Sequence, residues 1–105
     1  MITAEFYLKN DTLVGFSVKG HAGYDNVGYD IVCSAVTSLI ELTTNAITDI
    51  LMVNASVLVL DNEIKLTLPD GDRADAVNFL KALRLELEFL SQDYSDNIRL
   101  IDMEV

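Results

Sequence analysis

Gly20-His21-Ala22-Gly23-Tyr24-Asp25-Asn26-Val27-Gly28-Tyr29-Asp30-Ile31-Val32-Cys33-Ser34-Ala35 separates a part of the chain that reads as strand from a part that reads as helix, and it holds the only histidine and the only cysteine of the protein. Before it, Phe16 and Val18 alternate with polar neighbours, the period of a half-buried strand; after it, apolar residues recur at helical spacing. His21 is therefore expected to leave a strand end, and Cys33 to enter a first helical turn. There the unpaired backbone N–H groups and the positive end of the helix dipole favour the thiolate, the form of cysteine that attacks carbonyls.

Upstream of this stretch, residues 2–8 and 12–18 are two β-rich runs separated by Lys9-Asn10-Asp11, a turn composition that argues for a hairpin. The interval at residues 19–32 is long for a connection and rich in Gly, Asn and Asp. We read it as a mobile cover that orders over a bound ligand, with Gly23, Tyr24, Gly28 and Tyr29 in contact with it; the alternative is a plain surface loop. From Cys33 to about residue 51, Val36, Leu39, Ile40, Thr43, Ile47 and Ile50 follow helical spacing. Ala35, Leu42 and Ala46 make the remaining faces nearly as apolar, which predicts a central helix buried on most sides.

Residues 55–60 and 63–68 flank Asp61-Asn62, a two-residue turn in which Asn62 can accept positive φ, and so form a second hairpin. Pro69-Asp70-Gly71-Asp72 ends it. Asp72 and Asp75 resemble a helix start, and the helix runs to about residue 94 with a core stripe of Ala76, Leu80, Leu83, Leu87, Leu90 and Tyr94. Ala82, Leu85 and Phe89 form a second apolar patch, either covered by the sheet or facing outward as the seam of a homodimer. Residues 98–103 close the chain as a strand. The expected fold is α+β, a single two-layer domain over residues 1–105 in the order ββαββαβ, with two helices packed on a mixed, mostly antiparallel sheet.

With 105 residues and 50% hydrophobic content, the chain suits one domain with a core. The first residues lack a cationic region followed by an apolar one, and the apolar run at residues 50–60 is interrupted by Asn54 and Ser56. Neither reads as a signal or a membrane span, so a cytosolic protein with no membrane partner is expected. A single cysteine forms no internal disulfide, which agrees with a reducing compartment. The formal charge of −10, from 17 acidic against 7 basic residues, argues against direct nucleic-acid binding and for basic partners. One His, one Cys and scattered acids make no metal set, and the resolving cysteine of a thioredoxin-like redox site is absent, so no cofactor is expected.

The pattern Gly20-His21-Ala22, an interval, then Gly28-x-Asp30-Ile31-Val32-Cys33 resembles the ribosomal-processing cysteine protease (Prp) family, and the length and order of elements fit the whole chain. The resemblance implies that His21 and Cys33 are the catalytic dyad, that Gly20 and Asp30 are the family's glycine before the histidine and aspartate before Ile-Val-Cys, and that Thr37 stands where the family usually has serine. It further implies a homodimer and a substrate, the N-terminal extension of a large-subunit ribosomal protein associated with the peptidyl-transferase region. On chemistry alone a thiol nucleophile needs a base matched to neutral pH, and His21 is the one histidine present. Asp30 either charges or caps the helix or holds the His21 imidazole in its useful tautomer, and the backbone N–H of Cys33 and its neighbour are the expected oxyanion donors. The rival reading is a non-enzymatic acidic module that binds a basic ribosomal protein.

Overall fold

The computed structural model describes residues 1–20, 27–71 and 73–105. In chain order these form β1 (Ile2–Lys9), β2 (Thr12–Lys19), α1 (Val27–Asn45) with a π-helical continuation at Ala46–Ile50, β3 (Ser56–Leu60), β4 (Glu63–Thr67), α2 (Ala74–Asp93) and β5 (Ile98–Glu104). The five strands make one sheet in the order β3-β4-β2-β1-β5. Every neighbouring pair is antiparallel except β1 with β5, which is parallel. The expected ββαββαβ order and the mixed, mostly antiparallel sheet are both present.

Strand periodicity of two gives the sheet one apolar and one polar face. Phe6, Phe16 and Leu66 stand in one cross-strand row and are fully buried, with the Phe6 and Phe16 rings 6.3 Å apart and tilted by 46°. The neighbouring row, Glu5, Ser17 and Lys65, belongs to the opposite face, where the Ser17 hydroxyl donates to the Glu63 carboxylate and the Lys65 ammonium lies 5.2 Å from the centre of the Tyr7 ring. Both helices cover the apolar face: α1 brings Val32, Val36 and Ile40, its continuation Ile47, and α2 brings Ala76, Leu80, Leu83 and Leu87 into the same cluster.

Four local expectations are corrected. The first helix begins at Val27 rather than Cys33, because Val32, Val36 and Ile40, spaced by four, dock on the sheet and carry the helix back through Gly28 and Asp30; packing outweighs the loop-like composition there. That helix is not central. It lies on one face of the sheet, leaving Ile31, Leu42 and, at the end of its π-helical continuation, the 76%-exposed Ile50 uncovered. Tyr94 is exposed at the C-terminal cap of α2 rather than in its core stripe. Positive φ occurs in the first hairpin turn, at Asn10 (53°) and Asp11 (63°), and not at Asn62; this pair of angles suits the twist of a tight hairpin. The stretch Ile31–Ile50 is long and apolar enough to cross a membrane, but here its buried stripe is docked on the sheet.

The other ends follow local chemistry. Asp75 accepts from the backbone N–H of Ala76 and pairs with Arg73 at 3.1 Å, at the start of α2, so its carboxyl titrates below the usual range chiefly because of the Arg73 hydrogen bond. Asp72 lies outside the described residues. Where α1 ends, the Leu51 N–H bonds the Ala46 carbonyl five residues back, and Met52 takes a left-handed φ of 56° that turns the chain toward β3. Arg84 reaches from α2 to Asp102 on β5, pinning helix to sheet.

Candidate active site

The end of β2 is fixed by a glycine that two constraints require. Gly20 has φ of 75°, and a Cβ there would come within 2.5 Å of the Met1 carbonyl oxygen. Its N–H donates to the Asn62 carbonyl at 3.0 Å, tying the exit of β2 to the turn between β3 and β4. The residue before His21 is thereby held against the second hairpin, and the expectation that β2 delivers the chain to the site is met as far as Gly20. His21, Gly23 and Tyr24 lie outside the described residues.

Opposite Gly20 stands α1. A cleft of about 300 Å³ opens between them, walled by Cys33, Val36, Thr37 and Ile40 of the helix, by Ile2, Val18, Lys19 and Gly20, and by Val59, Leu60, Asp61, Glu63 and Ile64 of the second hairpin. It continues as an open trough past Lys19, Gly20, Leu60, Asp61, Asn62 and Glu63. Its interior is mostly aliphatic, with Asp61 at the turn of the second hairpin beside its mouth. Such a cleft accepts an apolar side chain and prefers a cationic chain around it.

The structure brings Gly20, Cys33 and Thr37 of the expected site together on this one cleft. Thr37, one turn past Cys33, is exposed along its wall. Cys33 itself is buried, 6% exposed, rather than openly accessible, and it is the seventh residue of α1 rather than part of the first turn. In a regular helix the N–H of a seventh residue already bonds the carbonyl four residues back, so the expected oxyanion donors at Cys33 and its neighbour are engaged within the helix, and the full benefit of the helix N-terminus is lost two turns in. Asp30 is the fourth residue of α1, past the cap position but close to the positive end. Gly28 and Tyr29 belong to the first turn of α1 and not to a loop.

The contribution of the second hairpin to the site was not anticipated. Val57-Leu58-Val59-Leu60 is a continuous apolar run, and a strand covered on both faces would read the same way. In fact β3 is the sheet edge, exposed along its whole length.

The two-layer fold has close counterparts. Residues 1–99 match the family model of the cysteine protease Prp. The chain belongs to that family of cysteine-type peptidases. The ribosomal processing cysteine protease Prp of Staphylococcus aureus is 25% identical over 103 residues, covering 95% of this chain and 97% of the relative. In three dimensions the chain superposes with a TM-score of 0.90 on SMU.848 from Streptococcus mutans, at 24% identity, covering 100% of this chain and 96% of that one. It also superposes on the S. aureus Prp protease in complex with a substrate peptide, with a TM-score of 0.89 at 22% identity, covering 98% of this chain and 100% of that one. The same S. aureus protease has been solved with a covalently linked product peptide, with a TM-score of 0.87 at 23% identity and the same coverage.

Proposed function

We propose that this chain is a cytosolic endopeptidase that uses Cys33 and His21 as a dyad to remove the N-terminal extension of a large-subunit ribosomal protein. The observation that carries the reading is the common cleft: Cys33 lines it, and so does Gly20, the residue immediately before the one histidine. Peptide enters between α1 and the second hairpin. The Cys33 sulfur forms a bond to the scissile carbonyl carbon, its proton passing to His21. As the carbon–nitrogen bond breaks, His21 returns that proton to the departing amine, and it then deprotonates the water that splits the thioester and restores the thiol. Thr37 touches the substrate along the cleft wall, and Asp30, near the positive end of α1, stabilises the helix start. The −10 surface draws the basic body of the ribosomal protein in the encounter step. The S. aureus relative is named for ribosomal processing and has been captured with substrate and covalent product peptides, which supports the same chemistry and substrate class here. We further propose a homodimer joined through Ala82, Leu85 and Phe89, a patch that α2 leaves exposed.

The test is to incubate the purified chain with the unprocessed ribosomal protein from the same cell and read the new N-terminus by mass spectrometry. The parent is expected to cut at one bond. Cys33→Ala is expected to bind without cutting, and Cys33→Ser to be nearly inactive because a hydroxyl is not comparably ionised. Processing by Cys33→Ala at a rate near the parent's would overturn the mechanism and favour an acidic binding module.

A further inference from the structure

The outer edge of the sheet lies beside the cleft, and its properties are unusual for an edge. Natural edge strands are generally blunted by charges, prolines, bulges or a covering segment. β3 has none of these in its span: its sequence is Ser-Val-Leu-Val-Leu, all five residues are exposed, and β4 is its only strand neighbour among the described residues. Val57 and Val59 stand in register with Leu66 and Ile64, so they belong to the apolar face that the helices cover elsewhere. Even so, Val59 is 69% exposed.

The register also sets which backbone groups are available. The hairpin closes at the pair Leu60 and Glu63 across a two-residue turn. In an antiparallel ladder the closing pair directs its N–H and C=O groups inward and the next residue directs its own outward. Leu60, Leu58 and Ser56 therefore bond β4, while Val57 and Val59 present their N–H and C=O groups to the outside.

Resting on the protease reading above, we propose that the substrate peptide binds as an added strand on β3, hydrogen-bonded to Val57 and Val59, and so runs into the cleft beside Cys33. Val59 belongs to both surfaces, the edge and the cleft that Cys33 lines, so a chain paired there lies next to the cleft. Charge selects the occupant. Asp61 and Glu63 follow the end of β3, and the chain carries −10, so a second copy brought edge to edge is repelled while the extension of a basic ribosomal protein is drawn in with its cationic body. Main-chain pairing supplies affinity for any extended segment, and the apolar pockets between Val59 and α1 supply selection of alternate side chains.

The experiment uses a synthetic peptide spanning the extension and cut site of the same ribosomal protein. Proline at position 59 deletes one outward donor without touching the β4 ladder. Val59→Pro is expected to raise KM roughly tenfold with kcat little changed. In Cys33→Ala, added peptide is expected to slow amide exchange at Val57 and Val59, a readout that does not depend on the proline variant folding. A parent chain that fails to cut the peptide overturns the protease reading and this inference with it. A parent that cuts, with KM unchanged in Val59→Pro and exchange at Val57 and Val59 unaffected by peptide, overturns the added strand alone. Protection of those amides that rises with protein concentration in the absence of peptide assigns the edge to a second copy and overturns it too.

Discussion

Replacing Gly20 with alanine perturbs the fold and the site through one carbon atom. At φ of 75° an L-residue meets its own backbone, which costs about 1–2 kcal/mol. Alanine restricts the unfolded chain more than glycine does and so returns about 0.4–1 kcal/mol. The added Cβ would lie 2.5 Å from the Met1 carbonyl oxygen, which is main chain and moves only by shifting the start of β1; overpacking of that kind adds about 1–3 kcal/mol. The net loss is about 3 kcal/mol, or roughly 15 °C in Tm for a domain of this size. On the proposed dyad, a shift in the exit of β2 also misplaces the base relative to the thiol, and misplacement by ~1 Å costs ~100-fold in rate. Thermal and urea unfolding check the first quantity, and single-turnover peptide cleavage at a temperature where the variant is folded checks the second. An unchanged Tm would refute the close-approach argument. A destabilised variant that cuts at the parent's rate would refute the claim that Gly20 positions the histidine.

Three other substitutions test separate parts of the structure. Phe89→Glu, at a residue 51% exposed on α2, should convert a species of twice 11.6 kDa in light scattering to monomer without lowering Tm; a dimer that survives it does not use this seam. Met52→Gly relieves a left-handed φ of 56° in a residue that packs little, and should raise stability by about 0.5–1 kcal/mol in urea unfolding. Tyr7 titrates above a tyrosine's ordinary value, first because burial disfavours its phenolate and then because the Glu5 and Glu63 carboxylates repel it. Its neutral form therefore contributes stability that is complete below the unfolded-state value and is lost as pH rises through the folded-state one. Tyr7→Phe should flatten that alkaline decline, and a parallel decline in parent and variant would show that Tyr7 is not its source.

The strands were legible because their burial is one-sided: Phe6, Phe16 and Leu66 alternate with Tyr7, Ser17 and Lys65, and this period fixes both the element and the face. The start of α1 was not, since Gly28 and Asp30 compose a loop locally and only the docking of Val32, Val36 and Ile40 onto the sheet makes them helical. For the same reason the motif identified Cys33 while its depth in the helix went unread. Apolar content misled at Ile50, because hydrophobicity reports what a residue can bury against and not whether the fold supplies a partner. The second hairpin's place on the cleft depends on strand order, with β4 beside β2, which no local pattern encodes.

The parallel pairing of β1 with β5 joins the earliest strand of the sequence to the latest, with Ile2 in register with Ile98. During synthesis β1 and β2 emerge as a hairpin, and β4 can dock on β2 soon afterwards. One side of β1 nevertheless stays open until residues 98–104 have cleared the ribosome. A nascent chain of this protein therefore passes through a stage with two uncovered sheet edges, β1 and β3, and an apolar face that β5 has not yet completed. Slow decoding of the segment that carries α2 and β5 prolongs that stage. The yield of soluble protein thus depends on how quickly the C-terminal strand follows the second helix, and truncation before residue 98 leaves a chain whose first strand has lost half its partners.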